Sequence, residues 1–303
     1  MDEMIQKIYE KCTLCPRNCG VNRLRGQKGY CRANGEMLIA RAALHMWEEP
    51  CISGKEGSGA VFFSGCSMGC IFCQNAEISG GRTGKMVSVE HLAEIFLNLQ
   101  EQQANNINLV TAGHYVLQVR EALILAKEKG LKIPIVYNSS GYEKKETLQL
   151  LEGLVDVYLP DFKYMNEKLA KEYSNASDYP EVAKQAIAEM VRQVGEATFD
   201  ERGIMQKGVI VRHLMLPGEL LDSKRIIRYL HETYGERIFI SMMSQYTPMP
   251  RVAEHPKLGK KIRKKSYDSL LNFAVSLGVE NGFFQEGETA KESFIPAFDC
   301  EGV

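Results

Sequence analysis

The chain carries, at residues 64–75, the stretch Ser64-Gly65-Cys66-Ser67-Met68-Gly69-Cys70-Ile71-Phe72-Cys73-Gln74-Asn75. It directly follows an apolar run, from Ala60 to Ser64, that has the length and composition of a buried β-strand. The three cysteines are spaced C-x3-C-x2-C, and an aromatic residue stands just before the third. A loop of clustered thiols at the end of a strand indicates a metal site.

Three thiolates hold three irons of a 4Fe-4S cubane and leave the fourth iron without a protein ligand, where a substrate can bind. A structural zinc site normally has four protein ligands, so three thiols here plus a distant fourth ligand is the alternative. The strand before the loop, the aromatic residue and the flanking glycines all favour the cluster.

From about residue 60 onward, short apolar runs alternate with longer segments of helical period, which is the pattern of repeated βα units around a parallel sheet. The predicted strands are Ala60 to Ser64, Asn106 to Thr111, Ile133 to Asn138, Val155 to Asp161, Val209 to Leu214 and Ile238 to Met243. The predicted helices lie around 88 to 103, 115 to 129, 143 to 152, 180 to 194, 222 to 234 and 260 to 277. Eight such units close a full barrel, so six predict an α/β fold of the partial, open β/α barrel type.

Residues 1–55 do not follow this rhythm, and we expect a small Cys-rich metal-binding module and extension there, with the barrel spanning 56–303. Four of its cysteines, Cys12, Cys15, Cys19 and Cys31, have the density of a closed metal site. Four thiolates suit tetrahedral zinc or mononuclear iron. A second 4Fe-4S cluster that relays electrons has the same ligand count, and a segment without metal is the last alternative. The roles of Cys51 and Cys300 stay unassigned.

Composition narrows the class of protein without naming a partner. The chain has 303 residues, 45% hydrophobic, 25% charged and with a net charge of -1. That balance makes nucleic acid an improbable partner, although residues 1–35 carry a local excess of four positive charges. No apolar run is long enough to span a bilayer and the first residues lack a signal-peptide pattern, so we expect no membrane association and a cytoplasmic location. In that reducing compartment the nine cysteines are more plausible as metal ligands than as disulfides.

The 64–75 loop resembles the cluster loop of the radical S-adenosylmethionine (SAM) superfamily, particularly that of pyruvate formate-lyase activating enzymes. The whole chain is similar to an uncharacterised bacterial and archaeal branch described as homologous to those activases. The segments that carry this similarity are Cys12–Pro16, Trp47–Gly54 and Phe294–Asp299.

The resemblance implies an oxidoreductase in which Cys66, Cys70 and Cys73 hold a 4Fe-4S cluster and SAM chelates its open iron. An electron from the cluster then cleaves SAM to methionine and a 5'-deoxyadenosyl radical, which abstracts hydrogen. It also implies an activating enzyme with a glycyl-radical enzyme as protein substrate, and a flavodoxin- or ferredoxin-like electron donor. The loop equally permits a peptide, RNA or small-molecule substrate. The remaining alternative is a non-catalytic iron-sulfur or zinc protein for electron transfer or nucleic-acid binding.

Candidate SAM contacts follow the ends of the predicted strands. Thr111 and His114 occupy the place of the family's Gly-Gly-Glu segment, a departure that leaves His114 either lining the site or anchoring a loop. Asp161 and Lys163, two apart on a strand, point the same way and form either a clamp on SAM or a solvated ion pair. Of the neighbours Arg212 and His213, one faces the site and the other the core. We therefore expect the cofactor-binding residues to be Phe72, Thr111, His114, Asn138, Asp161, Lys163 and Arg212.

Overall fold

The computed structural model describes residues 3–284 and 296–303. Phe294 and Ile295, which contribute to the resemblance noted above, lie outside the described residues. The central strand β2 is buried along its whole length, Ser58–Phe63, as its apolar sequence predicts.

A single ten-stranded sheet organises the chain, in the order β10-β9-β8-β6-β5-β4-β2-β1-β3, with β7 paired to β8 at the side. The seven strands from β2 to β10 along this order are mutually parallel, whereas β1 pairs antiparallel with β2 and β3. The other strands are β1 (Met37–His45), β3 (Lys85–Val87), β4 (Ile107–Val110), β5 (Ile135–Ser139), β6 (Val157–Pro160), β7 (Thr198–Phe199), β8 (Met205–Leu214), β9 (Phe239–Met243) and β10 (Gly282–Phe284). Because β10 and β3 end the order without pairing to each other, the sheet is not closed among the described residues.

Helices connect the parallel strands and pack against the sheet and in neighbouring pairs, such as α4 with α5 and α9 with α10. The helices are α1 (Glu3–Glu10), α2 (Pro50–Ser53), α3 (Ala76–Ser79), α4 (Val89–Glu101), α5 (Val116–Glu128), α6 (Lys145–Gln149), α7 (Glu167–Ser174), α8 (Tyr179–Val194), α9 (Leu220–Tyr234) and α10 (Lys264–Leu277). Parallel strands need such crossovers, and in a β/α barrel the crossover helices cover the outer face of the sheet.

The open α/β barrel predicted from the sequence is confirmed. Each of the six predicted strands and six predicted helices is present, with ends shifted by a few residues. The sequence pattern missed β10, a three-residue strand that pairs parallel to β9, and the antiparallel strands β1 and β3. β10 and β3 end the sheet and have three residues each, too few for a periodic signal. β1 has nine residues and lies between β2 and β3, but its register shifts between Ile39 and Arg41.

Residues before the barrel are joined to it. β1 pairs with β2 from Ile39 to His45, and Tyr9, Cys12 and Cys31 belong to the main hydrophobic core. The division at residue 55 stays a prediction. None of the described helices has the length and apolar character needed to cross a membrane.

Candidate functional site

The cysteine loop begins where β2 ends, and the backbone around it leaves little freedom. Gly65 has φ +97, and a Cβ there would lie 2.5 Å from the Cys31 carbonyl oxygen, so only glycine fits the turn. The Gly65 N–H donates to the Ile78 carbonyl at 2.8 Å, and the Ile71 N–H donates to the Tyr173 carbonyl at 2.9 Å. The loop is therefore fixed near its start by α3 and near its middle by α7.

Cys66, Cys70 and Cys73 together line a cavity of about 150 Å³. The Ser174 hydroxyl donates to Cys70 Sγ at 2.9 Å, and the Met68 N–H donates to Cys66 Sγ at 3.3 Å. Burial raises the pKa of the Cys73 thiol to about 12, so its thiolate needs a cation nearby. Within the described residues, no three His, Cys, Asp or Glu side chains are already gathered into a metal-binding arrangement, so the thiols must rotate toward a metal to ligate it.

A larger cavity of about 440 Å³ adjoins the first and shares Cys70 and Cys73 with it. Its wall includes residues at the carboxyl ends of four parallel strands, namely Val110, Asn138, Leu214 and Met243. In open α/β sheets this is the edge at which ligands bind. A shallow depression of about 480 Å³ between α9 and α10 contains none of these groups.

Charged side chains cross the floor of the larger cavity as one hydrogen-bonded network. Arg212 donates from Nε to Asp161 at 3.2 Å, from Nη1 to Glu48 at 3.1 Å and from Nη2 to Asn138 at 2.5 Å. Lys163 Nζ donates to the other Asp161 oxygen at 2.5 Å. Asp161 and Lys163 thus point the same way, as their spacing predicts.

The network stabilises the charged forms of Asp161, Lys163 and Arg212. Burial opposes ionisation of Asp161, but the charges of Lys163 and Arg212 outweigh it and hold the pKa of that carboxyl below its usual value. Burial likewise opposes ionisation of Lys163 and Arg212, whereas Asp161 raises the pKa of each. The cavity therefore offers both a fixed negative and a fixed positive group.

His213 is turned away from this network. Its Nδ1 lies 2.8 Å from the Phe162 carbonyl, and burial lowers its pKa to about 4, so it stays neutral in the core. Of the two orientations that the sequence left open, Arg212 faces the site.

The other three predicted SAM contacts, Phe72, Thr111 and His114, do not all lie in one cavity. Phe72 lines the larger cavity, and the centroid of its ring lies 6.1 Å from that of the Tyr246 ring. Thr111 lines the smaller cavity, with a backbone φ of +62. His114 is not among the residues lining either cavity: its Nε2 lies 2.8 Å from the Ser64 carbonyl oxygen. That contact anchors the start of the cysteine loop, the second of the two roles expected for it.

Sequence reasoning missed Glu48 and Glu49 as site residues. Glu48 accepts hydrogen bonds from Asn108, Asn138 and Arg212, and Glu49 Oε2 is buried in the cavity wall without a hydrogen-bond partner. Burial raises the pKa of Glu49. Two adjacent carboxylates next to Pro50, between a strand and a short buried helix, were the available signal.

The four N-terminal thiols lie together behind the cysteine loop. Cys12, Cys15, Cys19 and Cys31 line one cavity of about 10 Å³, to which His114 also contributes. This is the set of residues that the spacing predicted to share a site.

Comparison with known proteins finds one similar sequence and one similar structure among others. An uncharacterized protein of Methanocaldococcus jannaschii is 27% identical over 282 residues, which cover 90% of this chain and 76% of that protein. The crystal structure of Streptococcus suis SuiB bound to precursor peptide SuiA matches with a TM-score of 0.50 at 14% identity. That match covers 74% of this chain and 47% of SuiB, so the chain spans about half the length of this structural neighbour.

The sequence model of the radical SAM superfamily matches residues 60–230, which contain the cysteine loop, Asp161 and Arg212. That match includes more than half of the chain and every strand from β4 to β8. The superfamily typically binds a 4Fe-4S cluster and SAM, in agreement with three thiols beside a charged cavity. The chain belongs to the radical SAM superfamily.

Proposed function

We propose that Cys66, Cys70 and Cys73 hold the 4Fe-4S cluster, that SAM binds in the adjoining 440 Å³ cavity, and that the enzyme removes a hydrogen atom from a polypeptide. One observation carries this proposal. The loop with three thiols and the charged network meet at the carboxyl edge of the parallel sheet, although Asp161 and Arg212 lie far along the chain from Cys73.

The residues present fit both groups. Three cysteines leave one iron of a cubane for SAM. The cavity volume is within the range of about 300 to 1,000 Å³ that is usual for small-molecule sites. Glu49 Oε2 is a buried acceptor without a partner, and a ligand amine or hydroxyl would satisfy it.

When bound, the cluster and SAM supply reductive cleavage of the sulfonium C–S bond and an organic radical that abstracts hydrogen. The protein's own groups bind and orient. Lys163 and Arg212 are cations available to the SAM carboxylate, and Asp161 and Glu48 are anions available to its amine and sulfonium. Because Arg212 already bonds three partners, its main effect is to hold Asp161, Glu48 and Asn138 in one arrangement.

A polypeptide substrate is supported by the mouth of the cavity. The sheet is open, and the rim carries Trp47 and Phe284, whose side chains are 57% and 53% exposed. Exposed aromatic side chains beside an open cleft suit contact with an extended chain. The structural neighbour SuiB was crystallised bound to a precursor peptide, and the match covers 47% of the SuiB chain.

Within this class we propose a glycyl-radical enzyme as the partner, because the 64–75 loop resembles that of the activases. A flavodoxin- or ferredoxin-like protein is the proposed electron donor, and the cytoplasm the proposed location. A short precursor peptide is the second candidate substrate, favoured by the same open rim.

The test has two stages. Anaerobically reconstituted protein with dithionite and SAM should yield 5'-deoxyadenosine and methionine, detected by mass spectrometry; absence of both products would leave only a non-catalytic role. Addition of a glycyl-radical enzyme encoded near this chain's gene should then give a glycyl-radical electron paramagnetic resonance (EPR) signal. The Cys70→Ala variant is the negative control and should give neither product nor signal. Cleavage of SAM without that signal, together with deuterium transfer from a labelled peptide, would favour the second substrate.

A further inference from the structure

We infer that Cys12, Cys15, Cys19 and Cys31 bind one metal ion as four thiolates, of the zinc class, and that this ion holds the segment against which the cysteine loop is built. The function proposed above requires none of these four cysteines. The inference therefore concerns a second site, with a different metal and a different role.

The backbone brings the first three thiols to one place. The Cys12 N–H donates to the Val21 carbonyl at 3.0 Å, and the Gly20 N–H donates back to the Cys12 carbonyl at 2.9 Å. Between them the Asn18 N–H donates to the Cys15 carbonyl at 3.0 Å, which closes a tight turn over residues 15–18. Cys12, Cys15 and Cys19 line one small cavity. Within the described residues their thiols are not yet gathered as ligands, so they must rotate into this cavity to bind a metal, as those of the cysteine loop must.

The fourth thiol reaches the same cavity from a second turn. Arg32 N–H donates to the Gly29 carbonyl at 3.0 Å, and this turn carries Cys31. The Tyr30 N–H donates to Cys19 Sγ at 3.2 Å, and a Cβ at Gly29 would lie 3.2 Å from that sulfur. Backbone N–H groups aimed at sulfur stabilise the thiolate that a metal requires.

The size of the cavity selects the metal class. Its volume is about 10 Å³, at the lower limit for one water molecule, which needs about 10 to 15 Å³. A single ion with four thiolates around it occupies such a space, whereas a cubane of four irons and four sulfides does not. Tetrahedral coordination by four cysteines is the usual arrangement of structural zinc. Of the alternatives left open by the sequence, the cavity volume favours a single ion over a second cubane, and the four-cysteine ligand set favours zinc as that ion.

The site is connected directly to the cysteine loop. The Cys31 carbonyl accepts a hydrogen bond from the Cys66 N–H at 3.3 Å. Arg17, between Cys15 and Cys19, donates to the Ser67 carbonyl at 2.8 Å, to the Met68 carbonyl at 3.2 Å and to the Ser174 carbonyl at 2.9 Å. Residues that are themselves ligands, or lie between ligands, thus support the loop that carries the three cluster thiols.

The test is a metal count on the full-length protein, purified with zinc present and its cluster reconstituted. Wild type and the control Cys300→Ser should each contain one equivalent of zinc in addition to cluster iron, and Cys15→Ser/Cys19→Ser should lose that zinc and keep the iron. The double variant should also become sensitive to protease near its N-terminus, because so short a segment orders itself only with the metal. Equal zinc in all three proteins, or loss of about four irons in place of zinc, would overturn the inference.

A second measurement avoids the case in which the double variant fails to fold. Native mass spectrometry of wild type should show the mass of one bound ion, and alkylation should leave these four thiols unmodified until a chelator is added. Alkylation of all four without chelator, or a disulfide among them, would overturn the inference. Both readouts are independent of SAM cleavage, so they do not depend on the proposed function.

Discussion

The chain has two cysteine clusters that touch each other and differ in almost everything else. The cysteine loop offers three thiols beside cavities of about 150 and 440 Å³, whereas the N-terminal cluster offers four thiols around about 10 Å³. The first faces a network of four charged side chains, Glu48, Asp161, Lys163 and Arg212. Thiol number, free space and nearby charge together separate a reactive site from a structural one.

The two clusters also depend on each other unequally. Arg17 donates hydrogen bonds to the cysteine loop, and the Cys66 N–H of the loop donates to the Cys31 carbonyl. The N-terminal segment therefore supports the loop. The N-terminal turns, by contrast, are closed by their own backbone bonds from Cys12 to Arg32. Damage to the first cluster should therefore leave the second intact.

The largest expected effect comes from removing one thiol of the cysteine loop. Cys66→Ala, Cys70→Ala and Cys73→Ala should each lose the cluster, and with it all SAM cleavage, because only three thiolates are supplied there. Iron analysis and 5'-deoxyadenosine formation measure both losses, and zinc at the N-terminal cluster should be unchanged. The matched control is Cys300→Ala, which should keep both. An intact, SAM-cleaving cluster in the three variants would end the assignment of the loop.

An intermediate effect is expected from the charged network, which only the first cluster has. Asp161→Ala or Arg212→Ala should weaken SAM binding while cluster iron stays nearly constant, because neither residue is a proposed iron ligand. Loss of one charge-assisted contact costs about 1.5 to 3 kcal/mol, or about tenfold to a hundredfold in affinity. Isothermal titration calorimetry under anaerobic conditions measures the SAM affinity of each variant.

Arg202→Ala is the control for the network variants, since this exposed arginine pairs with Asp200 outside the cavity lining. Its SAM affinity should equal that of wild type. Unchanged affinity in both network variants would mean that these residues serve the fold and not the cofactor.

Much of this arrangement could be predicted from the sequence because it depends on local periodicity. The alternation of strands and helices gave the open barrel, and the two-residue spacing of Asp161 and Lys163 placed both on one side of the chain. The same rule also put Arg212 and His213 on opposite faces, but periodicity carries no information about which face is the site.

What the sequence could not supply is contact between distant segments. Glu48 meets Arg212 across 164 positions, and no spacing rule brings together residues so far apart. His114 was expected either to line the SAM site or to anchor a loop, and only the packing of Ser64 against it selects the second role. The strand β10 was missed because three residues are too few for a periodic signal.

The smallest expected effect distinguishes a redox-active cluster from a redox-inert ion. The Ser174 hydroxyl donates to Cys70 Sγ at 2.9 Å and lies 2.7 Å from the Tyr164 hydroxyl, and both side chains are buried. A hydrogen bond to a cluster sulfur stabilises the reduced, more negative state, so Ser174→Ala should shift the cluster's reduction potential to a more negative value. A net contribution of about 0.5 to 1.5 kcal/mol corresponds to roughly 20 to 60 mV for one electron. EPR-monitored redox titration measures the shift.

Ser223→Ala is the matched control, because this buried hydroxyl on α9 donates to the Glu219 carbonyl and not to sulfur. A general loosening of the fold would move both variants alike. Only a shift confined to Ser174→Ala, with zinc content unchanged, supports a cluster on Cys70; equal potentials in the two variants would count against that bond as a contact to the cluster.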